Sequence, residues 1–170
     1  MLCDVEMAMN AAMEPIFRAV AEDGRECVLP RALEERIRAG LVRSGGRLRL
    51  VRPEHSTPPP GHLDDLGAEL WVNKLHLDTE TPASDPAWRA ELLRHGLTVA
   101  RRLLPQAVTL SSLPARVLIS LQSAPGTIDP TSDFATGAVH LFLVRSAHED
   151  VAAWVEDVEE PVLALTTTAR

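Results

Sequence analysis

The sequence predicts a mixed α+β fold, and three observations predict it. Short segments around residues 117–121, 139–143 and 162–168 are apolar at alternate positions or rich in β-branched residues, the strand signature. Trp88, Leu92, Gly96, Val99 and Leu103 recur at steps of four, four, three and four, the helix signature. Strand and helix signals then alternate through the second half of the chain, so helices must cover a sheet.

The elements follow in order. Residues 1–13 read as a frayed leader carrying all four methionines, with Met13 as a second candidate start. Glu14-Pro15 opens a short helix, since proline fits the first helical turn, and Asp23-Gly24 ends it. A second helix runs from Leu29-Pro30 to Ala39, with Leu33 and Ile37 four apart and Gly40 as its stop. Leu41-Val42 and residues 48–51 form a hairpin across Gly45-Gly46, because glycines tolerate the positive φ of a tight turn. Pro58-Pro59-Pro60-Gly61 favours an extended chain, so residues 53–67 read as a linker. A strand is expected at 70–78, alternating around Trp71, Leu75 and Leu77.

Ser84 or Asp85 caps the long helix, Pro86 begins it and Pro105 ends it. Gly96 on its buried side is expected to admit a sheet at close range. Strands at 116–122 and 139–145 come next. Ser146 and Glu149 form a capping box for a helix that turns Val151, Trp154, Val155 and Val158 inward. Pro161 precedes a last strand at 162–168.

From residue 70 the order is β-α-β-β-α-β. Right-handed crossovers put both helices on one face of an antiparallel sheet of order 4-1-3-2, the ferredoxin-like sandwich, over residues 69–168. The expected division is a small helix-helix-hairpin subdomain at 1–52, the linker at 53–67 and the ferredoxin-like α+β domain at 68–170. Trp88, Leu92, Val99, Val117, Ile119, Leu141 and Trp154 are the expected core.

Composition narrows the function. The chain has 170 residues, 45% of them hydrophobic, which suffices for a packed core. No apolar run is long enough to span a bilayer. The start has no basic n-region, so a cytoplasmic protein with reduced thiols is expected. Cys3 and Cys27 are too few for a disulfide framework or a cysteine-rich metal site. There is no tyrosine, and no phosphate loop, serine nucleophile elbow or HExxH motif. No catalytic residue, metal or cofactor is therefore assigned.

Four constellations remain. Residues 148–160 hold six acids and no Lys or Arg, and Glu149, Asp150, Glu156, Asp157, Glu159 and Glu160 would form an acidic ridge. Opposite potentials accelerate encounter, so a basic protein is the expected partner. In size and charge the chain is similar to immunity proteins that neutralise secreted bacterial toxins. That resemblance implies a non-enzymatic, acidic, protein-binding inhibitor.

His76 and His140 share the open sheet face with Lys74. That face would be covered by the N-terminal subdomain, or would take a small ligand or a second copy of the chain, or use the histidines as the base of a small enzyme. No carboxylate is placed to orient either ring and no third ligand is in view. The connection at 123–137 is long for a hairpin and carries Asp129 and Asp133 as candidate ligand residues. Finally, residues 31–52 hold seven Arg against Glu34 and Glu35. Two helices, a basic hairpin and a βαββαβ domain resemble feast/famine transcription regulators, which implies a ligand-responsive regulator. The missing middle helix of a helix-turn-helix weighs against nucleic acid.

Overall fold

The computed structural model describes residues 4–24, 27–55, 64–125, 133–146 and 155–168, without the side chains of 123–125 and 133–134. The elements are β1 (Val5–Met9), α1 (Glu14–Asp23), α2 (Arg31–Ala39), β2 (Leu41–Ser44), β3 (Arg47–Leu50), α3 (Asp65–Val72), β4 (Lys74–Asp78), α4 (Ala87–Leu110), β5 (Ala115–Pro125), β6 (Asp133–Leu143) and β7 (Val162–Thr167). They form a five-stranded antiparallel sheet, β1-β7-β5-β6-β4, and the two-stranded hairpin β2-β3. Among the described residues no helix is long and apolar enough to cross a membrane.

The mixed α+β class is therefore observed, but the expected order 4-1-3-2 is not. Counted from β4, the strands lie 4-2-3-1, with β1 added outside the fourth. The first half agrees: α4 joins β4 to β5, and β6 lies between them, antiparallel to both. β7 then pairs with β5 instead of β4. The outer edge of β4 has another partner, since the Glu54 carboxylate accepts the His76 backbone N–H at 3.2 Å.

Alternation along the strands feeds two apolar clusters. Val117, Ile119, Leu121, Val139, Leu141 and Leu163 pack with Trp88, Leu92, Val99 and Leu103 of α4. Leu33 and Ile37 of α2 and Leu48 and Leu50 of β3 belong to that same cluster. A Cβ on Gly96 would lie 2.8 Å from Ile119 Cγ2, which is why glycine stands where α4 meets β5. The opposite face carries Leu118, Phe142, Val162 and Ala164, covered by Leu66 and Leu70 of α3 and by Val155 and Val158. That face is not open, and its cover is not the N-terminal segment. Trp154, expected in the core, lies outside the described residues.

Several expected elements change. Residues 65–72, read as linker and first strand, are helix α3. Asp64 caps it by accepting the Gly67 N–H at 2.7 Å. Its buried face is Ala68, Glu69, Val72 and Asn73, a helical spacing disguised by two polar members. The expected leader instead supplies β1, paired with β7 from Val5↔Thr167 to Met9↔Leu163, and Met13 is fully buried. Helix α4 passes through Pro105 to Leu110. Pro105 and Arg101 lie on the exposed side, so water solvates the carbonyl that the missing N–H leaves free. The long connection at 123–137 is largely ladder, because β5 and β6 stay paired to Pro125↔Asp133. The expected β2-β3 hairpin forms, with Gly45 at φ 57° and Gly46 at φ 79°.

Candidate functional site

At the β4 edge the fold gathers groups that are distant in sequence. Residues 53–55 leave the hairpin and run beside β4. His76 Nδ1 lies 2.6 Å from Glu54 Oε2, and the same carboxylate accepts the His76 backbone N–H. Glu54 is thus fixed from two directions. Arg36 Nε stands 3.7 Å away as a weaker third partner. The His55 ring lies with its centroid 5.9 Å from that of His76, edge-on, and 5.0 Å from the Trp71 ring on α3. One ligand atom each from Glu54, His55 and His76 falls within 4.8 Å of the others. The Glu54 side chain is 17% exposed and that of His76 is 41% exposed, so the cluster is anchored on one side and open to solvent on the other.

Two imidazoles and one carboxylate form a donor set for borderline divalent transition metals. Three protein donors leave at least one position for water or a substrate atom. The expectation for His76 therefore changes: a carboxylate does orient its ring, and a second imidazole, that of His55 and not that of His140, stands beside it. Glu54 and His55 lay in the segment read as linker. Neither has a periodic pattern around it, and the only sequence signal was an adjacent acid and imidazole just before the prolines.

His140 is not part of this set. It pairs with Lys74 across β4-β6, and its Nδ1–H donates to the Leu70 carbonyl in the last turn of α3, at 3.1 Å. Burial holds its imidazole below the ordinary range, helped by Lys74 and His76 and opposed by the bond to Leu70. It is half-buried and tied to α3 through this bond. Asp133 sits at the end of the β5-β6 ladder, and Asp129 lies outside the described residues.

The acidic ridge is described only in part. Glu156, Asp157, Glu159 and Glu160 are exposed around buried Val155, while Glu149 and Asp150 lie outside the described residues. The basic stretch is largely committed to intramolecular partners: Arg31 to Glu35, Arg38 to Glu34, Arg47 to Asp65, Arg36 to Glu54, and Arg43 to the Leu110 carbonyl. No protein-family model, curated protein or solved structure matches the chain.

Proposed function

We propose that this protein binds a divalent transition metal ion at Glu54, His55 and His76. What supports the reading is the convergence of these three donors within 4.8 Å, from a loop and a strand edge more than twenty residues apart. Imidazole binds a metal ion in its neutral form, so the ion competes with the proton and binding strengthens with rising pH. The open side leaves room for a bound water, which an ion of this class acidifies.

The test is titration of the full chain with zinc(II), and anaerobically with iron(II), followed by metal analysis after gel filtration. The expected result is one ion per chain. His76→Ala and His55→Ala should each weaken binding by about 100-fold or more, since even outer partners of a metal site are worth about 10–100-fold. Cobalt(II) should quench Trp71, read in a chain whose other two tryptophans are phenylalanine. Unchanged affinity in both histidine variants would defeat the reading.

A second reading rests on a separate observation. Glu156, Asp157, Glu159 and Glu160 project from one turn, anchored by Val155 and Val158 beneath it. They support a docking surface for a basic protein, with inhibition as its outcome. Partner capture should then fail in molar salt and after reversal of all four acids to Lys, because exposed charge pairs are screened. Capture that survives both treatments would exclude an electrostatic interface.

A further inference from the structure

A cavity of about 520 Å³ opens between α1 and α4. Its walls divide by chemistry. Phe17 and Val20 of α1 and Leu97 of α4 give it an apolar side. Arg94, Arg101 and Arg102 give it a cationic side, in a chain whose formal net charge is −7. Two of the three guanidiniums are neutralised: Arg94 by Asp23, and Arg102 by Glu34 at 2.6 Å. Arg101 has no hydrogen-bond or ion-pair partner among the described residues. Arg94 Nε is a buried donor with no partner there either. Cys27 and Thr98 line the remaining wall. Burial pushes the Cys27 thiol up, so it lines the wall as a neutral group.

From this we infer that the α1-α4 groove binds a small amphipathic carboxylate, its alkyl chain along Phe17, Val20 and Leu97 and its carboxylate on Arg101. The volume lies within the roughly 300–1,000 Å³ usual for small-molecule sites. A free guanidinium at one end of an apolar wall selects an anionic head on an apolar tail over either part alone. The site is independent of the metal reading, because it shares no residue with it.

Calorimetry of the full chain with sodium decanoate, in the presence of EDTA, tests the inference. EDTA removes any metal, so a carboxylate bound through an ion at Glu54, His55 and His76 does not register. One decanoate should bind per chain, and decanol or acetate should bind at least about tenfold more weakly, the equivalent of roughly 1.4 kcal/mol. Arg101→Ala should lower decanoate affinity by at least about tenfold. Arg101 is exposed, so that variant should melt like the parent. Ala21→Trp places a ring into the groove from an exposed position on α1 and should abolish binding. The inference fails if decanoate does not bind, if acetate or decanol binds equally well, or if neither variant changes the affinity.

Discussion

Glu69 is completely buried, and a buried carboxylate is tolerated only when its lone pairs are filled. Arg145 grips it with a fork, Nη1 to Oε2 at 2.9 Å and Nη2 to Oε1 at 2.8 Å. The Leu48 N–H donates to Oε1 at 2.7 Å and the Leu143 N–H to Oε2 at 2.9 Å. One turn later Asn73 accepts the Leu50 N–H and donates to the Leu48 and Leu141 carbonyls. These two side chains of α3 thereby tie the hairpin to the end of β6, in place of a strand ladder. Glu69→Gln keeps the shape but exchanges one acceptor for a donor and leaves Arg145 without its counter-charge. It should cost about 3–5 kcal/mol in urea unfolding, the usual penalty for breaking a buried pair. A cost below about 1 kcal/mol would mean that water replaces the missing acceptor. None of this was legible in the sequence, because the partners of Glu69 lie 21, 74 and 76 positions away.

At the scale of elements, legibility followed the strength of the local signal. α1, α2 and the β2-β3 hairpin were readable to within about two residues, since proline, glycine and apolar spacing mark each boundary. α3 was not, because its inward face includes Glu69 and Asn73 and so imitates strand alternation. β1 was missed because an edge strand is paired on one side only, and Val5 and Met7 remain 41% and 48% exposed. Gly96 was read correctly, since a glycine on an apolar stripe signals a close approach. The end of α4 was misread at Pro105, where a breaker is tolerated on the wet side of a helix with Leu103, Leu104 and Ala107 buried around it. This tolerance has a measurable cost. An interior proline disfavours a helix by about 3 kcal/mol relative to alanine, while proline restricts the unfolded chain by about 0.4–1 kcal/mol. Pro105→Ala should therefore stabilise the protein by about 2–2.6 kcal/mol, seen as a higher urea midpoint. An unchanged or lower midpoint would show that the proline sits in an already relaxed turn.

For the molecule as a whole, covering both faces of the sheet encloses imidazoles as well as apolar groups, and this makes stability depend on pH. His140 is half-buried against α3, bonded to its Leu70 carbonyl. His95, on α4, is 5% exposed, and its Nδ1 has no hydrogen-bond partner. Burial holds both imidazoles below the ordinary value of about 6.5. For His140 the nearby Lys74 and His76 add to that effect. For His95 burial outweighs the opposing pull of Glu91 and of the Val28 backbone. A depressed folded value means that the unfolded chain takes up protons first as pH falls. The stability these groups contribute is complete above about pH 6.5 and drains away below it, until the folded form also protonates. The urea midpoint should therefore drop between about pH 7 and pH 5, in a range where ordinary carboxylates are still ionised. Replacing His95 and His140 together by Gln removes both titrations and should flatten that drop. Were the double variant to lose stability as steeply as the parent, the proton uptake would belong to other groups, and the enclosure of these two rings would not govern the acid response.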